Sequence, residues 1–332
     1  AAHVDAPAEF RGQSAERGHR VRPGPPTQAP SKRSQTAVAI VGAGAAGLSA
    51  AWALKRRGFD DFLIFDLEDE LGGTARGGEH ASSPYPMGAH YLPEPPRDCP
   101  ELYELLTDIG LVTGRDAEGR PEFLPSAICA APTERHYHRG MWRQGLYPAT
   151  QQSDEEARQW ERWHEHLGEL AAFRDASGRR AFALPLEAGA PEFRHLDQQS
   201  MSAYLASQGF TSERLLWFVD YACRDDYGTP AAFTSAYAGL HHFLCRGLEE
   251  DHDRGLIVFE GGNSELVRRL ADAVQAVPRL EHLAYDLDPS TASVDVWDAA
   301  SDRCLRLEGA AIVWAAPRFI LDALMGRAAS TK

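Results

Sequence analysis

Lysine is almost missing from this sequence. Only Lys32, Lys55 and Lys332 are lysines among 34 basic residues, so chemistry that needs an amine side chain has three positions to draw on. Cysteine is also scarce. Cys99, Cys129, Cys223, Cys245 and Cys304 are odd in number, widely spaced and without a C-x-x-C pair, which argues against a disulfide framework or a zinc site and for free buried thiols. A positive balance is lacking too: 34 basic against 48 acidic residues leave a formal charge of -14. Such a field repels phosphate backbones and anionic headgroups, which excludes nucleic acid as an expected partner. It is compatible with a cationic substrate, but it serves solubility equally well, so charge does not identify the ligand. No membrane span is expected either. Residues 37–54 carry no charge, but Gly42, Gly44 and Gly47 divide them into a β-branched run and an Ala-rich stretch, the pattern of strand, tight turn and helix.

What is present is a chain of 332 residues, 43% hydrophobic and 25% charged, enough for about two domains with real cores. It begins at Ala1-Ala2-His3 without Met, which suggests a removed upstream segment. Residues 1–33 are rich in Pro, Gly, Arg and Gln without hydrophobic periodicity, so they read as an extended arm, with regular structure expected from Thr36. The pattern predicts strands at 38–41 and 62–65 and, between them, a helix at 45–57 closed by Gly58. The proline-dense segment 84–100 predicts irregular chain and a domain exit. Beyond it, Ser153 caps a helix carrying Trp160, Trp163, Leu167 and Leu170. A second helix with Leu215, Leu216, Phe218, Val219 and Ala222 stops near Gly228, and Thr229-Pro230 predicts a third from 231 to about 245. Strands return at 256–259, 294–297 and 311–314, with a helix from Gly261-Gly262-Asn263-Ser264 to about 276.

The motif that carries chemistry is Gly42-Ala43-Gly44-Ala45-Ala46-Gly47, which follows a strand and opens a helix. That context lets the backbone approach a pyrophosphate at the positive helix end. Asp66 closes the next strand 19 positions after Gly47, where a carboxylate accepts hydrogen bonds from ribose hydroxyls.

Downstream, Asp66-Leu67-Glu68 leads to Gly72-Gly73-Thr74-Ala75-Arg76: an acidic residue, paired glycines six and seven positions on, then a basic residue. This resembles the FAD-binding signature of the flavin amine oxidase and phytoene desaturase superfamily. Arg76 has the charge to neutralise a pyrophosphate. The resemblance continues in Tyr85-Pro86-Met87-Gly88-Ala89-His90-Tyr91, similar to the family's loop over the flavin ring, where Gly88 and Ala89 would lie against the isoalloxazine and His90 and Tyr91 would touch flavin or substrate. Glu260-Gly261-Gly262-Asn263 and Val313-Trp314-Ala315-Ala316-Pro317 also resemble the family, the latter bringing Pro317 toward the cofactor. It implies FAD held by Gly42, Gly44, Ala45, Ala46, Gly47, Asp66, Leu67, Glu68, Gly72, Gly73, Thr74, Arg76, Gly88, Ala89, His90 and Pro317, and no metal.

Nothing matches the family's C-terminal FAD-contacting segment, so completion by a further fragment or a second chain is expected. The family's amine oxidases often place a lysine near the flavin through a water, which neither Lys32 nor Lys55 can supply. In the middle region, Asp220, Cys223 and Arg224 share a helix face with Tyr227 one turn on. Asp220 and Tyr227 either line a pocket for a cationic amine, or Arg224 simply bridges to Asp220 at i,i+4.

The resulting expectation is an α/β protein with a doubly wound, Rossmann-like, glutathione-reductase-type FAD domain at 34–97 plus 252–332 and an inserted, mainly helical substrate domain at 98–251. The function implied is an FAD-dependent oxidoreductase that takes hydride from a small amine or amino acid, with oxygen or another acceptor reoxidising the flavin. Two alternatives stand beside it: a desaturase or protoporphyrinogen-oxidase-like enzyme on an apolar substrate, and a non-catalytic flavin-binding subunit. If a signal has been removed, export in the folded state by the twin-arginine route to the periplasm follows; otherwise the protein is cytoplasmic.

Overall fold

The uncharged run at 37–54 folds as strand, turn and helix. The computed structural model describes residues 11–22, 30–96, 99–129, 135–138, 140–145, 147, 153–245 and 256–330. In chain order the elements begin with α1 (Ala15–His19), β1 (Lys32–Gln35), β2 (Val38–Val41), α2 (Ala45–Arg56), β3 (Phe62–Phe65), β4 (Gly77–Glu79), β5 (Pro84–Pro86) and β6 (Tyr91–Pro93). They continue through α3 (Pro100–Asp108), β7 (Val112–Arg115), β8 (Pro121–Phe123), β9 (Ile128–Cys129), β10 (Arg135–His138) and β11 (Met141–Gln144). Next come α4 (Asp154–Ala172), α5 (Met201–Ser207), α6 (Glu213–Tyr227), α7 (Ala236–Leu244) and β12 (Leu256–Val258). Last are α8 (Ser264–Val274), β13 (His282–Asp288), β14 (Ser293–Asp298), β15 (Arg303–Glu308), β16 (Ala311–Trp314) and α9 (Arg318–Ser330). The chain divides into two compact units, one of residues 1–91, 108–113 and 258–332, the other of 92–107 and 114–257.

In the first unit β2 lies between β16 and β3 in a parallel sheet, with Ile40 paired to Val313 on one side and Ile64 on the other. All four residues of β2 are buried, as expected of a parallel strand covered on both faces, which therefore reads as a continuous apolar run. A second sheet runs β1-β15-β14-β13. Ala39, Val41 and Phe65 of the parallel sheet share one core with Ala284, Leu287, Val294, Val296 and Leu307 of the second.

The arm is more ordered than its composition suggests. Residues 32–35 form β1, which pairs in parallel with β15 from Lys32↔Leu305 to Gln35↔Glu308. Its polar residues are mostly exposed, so backbone pairing forms the strand and hydropathy carries no trace of it. The proline-dense segment is likewise partly regular: Pro84–Pro86 pairs antiparallel with β4, and Pro100 begins α3, where a proline costs nothing because a first-turn N–H has no intrahelical partner.

The second unit buries Trp163 and Leu167 of α4 with Met201 and Leu205 of α5, Leu215 and Val219 of α6, and Ala236 and Leu240 of α7. Ser153 and Glu156 cap α4 reciprocally: the Glu156 amide donates to the Ser153 hydroxyl, and the Ser153 amide donates to the Glu156 carboxylate. Gly228, at φ 64°, ends α6 in the left-handed conformation. The helix predicted from 231 starts later, at Ala236, because Thr234 folds back on Pro230 and Ser235 supplies the cap. Short hairpins β7–β8 and β10–β11 lie between α3 and α4, in addition to the helices.

Trp163 is 1% exposed, whereas Trp217 on α6 is 50% exposed. Trp163→Ala is expected to lower unfolding stability by about 3–5 kcal/mol, and Trp217→Ala by less than about 0.5 kcal/mol, both read from urea denaturation midpoints.

Candidate functional site

The glycine loop between β2 and α2 is built by close backbone approach. A Cβ on Gly47 would overlap the carbonyl oxygen of Gly42, and one on Gly42, at φ 110°, would lie 2.7 Å from the Ala315 carbonyl oxygen. Gly42 and Gly47 thus fasten helix to strand and loop to the β16 terminus. Gly44 has another part. It caps α2 without a side-chain hydrogen bond, and a Cβ there would meet only Gly72 and Gly73, at 3.6 Å or more. The amides of the first helical turn, those of Ala45, Ala46 and Gly47, have no intrahelical acceptor and point along the positive end of the helix dipole.

Asp66 stands at the end of β3, where the sequence predicts it, but its carboxylate is turned to the backbone. Oδ2 accepts from the Ala43 amide at 2.6 Å and Oδ1 from the Glu68 amide at 2.8 Å. It therefore braces the glycine loop, while each oxygen keeps a further lone pair for a ribose hydroxyl.

Arg76 and Glu68 are each only 5% exposed. Arg76 Nη1 lies 3.7 Å from both Glu68 and Asp69, and its Nη2 has no hydrogen-bond partner among the described residues. A buried guanidinium with an unused N–H is costly unless something accepts it. Its stem lies against Gly72, which itself bridges to Gly44. The donor set fits a dinucleotide: uncapped helix amides, a surface free of Cβ atoms at Gly44, Gly72 and Gly73, and a spare guanidinium N–H beside them. The acidic neighbours of Arg76 are Glu68 and Asp69.

The loop from Tyr85 to Tyr91 is fixed by backbone bonds. Met87 N donates to Arg76 O at 3.0 Å, and Ala89 N to Thr74 O at 2.9 Å. Gly88 has no room for a Cβ, which would sit 2.5 Å from the Thr74 carbonyl oxygen. Gly88, Ala89 and His90 are exposed, and the His90 and Tyr91 rings meet edge-on at 4.8 Å. Asn263 clamps this loop from the start of α8: its backbone amide donates to Ala89 O and its Nδ2 to Tyr91 O. That clamp was not legible, although the glycine pair before Asn263 marked the turn. Pro317 is exposed after β16, and its carbonyl accepts from the Trp314 indole. Leu67 and Thr74 lie on the two loop segments that flank Glu68 and Arg76.

In the second unit, Asp220 accepts from Arg224 Nε at 2.6 Å and from the Ala231 amide at 2.8 Å. Tyr227 donates its hydroxyl to Ala238 O at 2.8 Å. Both groups hold α6 to the chain that follows, so the ion-pair reading of this cluster has direct bonds behind it. His242 pairs with Asp226, and His241 contacts Ala183 O. Of the lysines, Lys55 pairs with Asp60 and Lys32 lies exposed in β1; Lys332 lies outside the described residues.

Gly47→Ala is expected to lower stability by roughly 1–3 kcal/mol, since the intruding methyl meets backbone. Gly44→Ala should leave the melting temperature nearly unchanged and act on ligand binding instead. Thermal melts of the two variants separate these roles. For Asp220, burial alone would raise the pKa, but Arg224 and the Ala231 amide overcome it and hold the carboxyl below its ordinary value of 3.8. The stabilisation is fully present above the unfolded-state pKa and is lost as the pH falls through the folded one. Asp220→Asn should therefore be less stable than the parent at pH 7, with the gap closing below about pH 4, as followed by urea melts across pH.

Residues 40–109 match the family described as NAD(P)-binding Rossmann-like domain. No curated protein matches the chain in sequence. Among solved structures, a putrescine oxidase bound to putrescine superposes with TM-score 0.60 at 19% identity, covering 88% of this chain and 60% of that one. Cyclohexylamine oxidase from Brevibacterium oxydans IH-35A gives TM-score 0.56 at 20% identity, covering 87% and 63%. A fatty acid isomerase from P. acnes that produces CLA gives 0.58 at 18%, covering 86% and 60%. The chain thus spans about 60% of the length of the structures it matches. Residues 40–109 thus resemble an NAD(P)-binding Rossmann-like domain, and the chain shares its fold with putrescine oxidase and cyclohexylamine oxidase.

Proposed function

We infer that this chain is an FAD-dependent oxidoreductase of amine oxidase type, acting on a small amine or amino acid. The observation that carries the reading is the buried Arg76 guanidinium with an unused N–H beside an uncapped glycine loop, in a chain that shares its fold with two amine oxidases. Residues 34–97 and 252–332 form the cofactor-binding part, and 98–251 the substrate part.

In this reading the amides of Ala45, Ala46 and Gly47 and the Arg76 guanidinium hold the pyrophosphate, Asp66 takes the ribose, and Leu67, Glu68, Gly72, Gly73 and Thr74 line the approach. Gly88, Ala89, His90 and Pro317 lie along the ring end. FAD would supply the redox chemistry by accepting a hydride from the carbon that bears nitrogen. His90 and Tyr91 are the side chains assigned to orient the substrate and exclude water at that carbon. Asp220 and Tyr227 contribute only if the substrate reaches α6, against the bonds they already make. No lysine is assigned a role.

The fatty acid isomerase among the similar structures supports a second reading, an FAD enzyme with an apolar substrate. The visible spectrum of the purified protein, before and after anaerobic addition of amines and amino acids, separates the two. Flavin bands that bleach with an amine are the expected result. Bands that persist with every amine but bleach with an unsaturated or apolar substrate favour the second reading, and bands that never bleach favour a flavin-binding subunit without catalysis. A colourless protein with intact fold refutes FAD binding by this chain.

A further inference from the structure

The segment that contains α1 is docked on the acidic turn after β3. The Ser14 amide donates to both carboxylate oxygens of Glu68 at 3.1 Å. Arg17 reaches three carboxylates: Glu281 at 2.5 Å, Asp69 at 3.3 Å and Glu68 at 3.7 Å. Its Nε is buried without a hydrogen-bond partner among the described residues. Arg17 and Arg76 thus approach Glu68 to the same distance, and Asp69 also lies between them.

The segment also has an anchor that does not involve Arg17. Val21 is buried in one cluster with Leu283, Tyr285, Trp297 and Leu324, and the Arg20 guanidinium lies 4.0 Å from the Trp297 ring centre. Arg17 is therefore placed by its neighbours and free to act through charge.

Two guanidiniums here serve three carboxylates. Without Arg17, Arg76 would be the nearest cation to Glu68 and Asp69, and its buried N–H groups would be drawn toward them and away from any incoming anion. The uncompensated carboxylates would also repel a diphosphate directly, with the buried Glu68 charge little screened and the exposed Asp69 charge more so. We propose that Arg17, carried in by the N-terminal segment, is a positioning residue of the dinucleotide site: it shares the Glu68 and Asp69 charge so that Arg76 stays available to an anionic cofactor. The assignment rests on the dinucleotide reading above.

The test is the dissociation constant of FAD for the full-length, deflavinated protein, measured by quenching of flavin fluorescence. Arg17→Ala should weaken binding by about tenfold, the size of an ordinary coupling between adjacent charges, and Arg17→Lys should recover most of it. In a Glu68→Gln background, which removes the buried one of the two shared charges and keeps an acceptor for the Ser14 amide, Arg17→Ala should cost clearly less than it does in the parent. Hydrogen exchange of residues 14–21 should be the same in the parent and Arg17→Ala, since the Val21 anchor is intact. An equal loss with and without Glu68, no loss at all, or loss of protection across the segment would overturn the proposal while leaving FAD binding standing. A parent protein that binds no FAD overturns the dinucleotide reading and the role of Arg17 with it.

Discussion

The approach of Gly47 to the Gly42 carbonyl is the contact on which the first unit depends. It lets α2 start directly above the end of β2, and the same turn admits the Ala315 carbonyl from β16. Three elements meet in a space that holds no Cβ, so one geometric requirement fixes the strand order around β2 and exposes the uncapped amides of α2. Asp66 then secures the loop through the Ala43 amide. The site and the core are made by the same few atoms, which is why loop glycines here divide into those that hold the fold and one, Gly44, that faces outward.

Electrostatics adds a second layer to this frame. The chain has almost no lysine, and its buried cations near the site are arginines, whose several N–H groups can be divided among partners. Arg76 uses Nη1 toward Glu68 and Asp69 and leaves Nη2 unused. A lysine in its place would be a single point charge, with no such division between a structural and a ligand-binding edge.

Much of the first unit was legible because its signals are local. β2, α2, β3 and β16 announce themselves through apolar runs punctuated by glycine, and in the second unit Ser153 and Gly228 likewise mark the ends of helices through cap chemistry that needs no tertiary partner. What was not legible depends on partners distant in sequence. β1 is polar and exists through pairing with β15, some 270 residues away; α1 is five residues long and is held by Glu68, Glu281 and the cluster around Val21. Asp66 was placed at the right strand end, but its short side chain turns to the Ala43 amide, a choice that spacing cannot show. Asp220 reads in sequence as a pocket acid or as a bridge to Arg224, and the bond from the distant Ala231 amide is the part that spacing could not show.

The parallel pairing of β1 with β15 also bears on how the protein behaves when its N-terminal segment is lost. Were the chain clipped by a protease before Thr36, the backbone groups of β15 from Leu305 to Glu308 would lose their partners on that side. A sheet edge freed in this way is a template for strands of other molecules. With β1 in place the edge is instead a short, mostly exposed polar strand, with Arg33 paired to Glu308, which is a poorer template than bare β15.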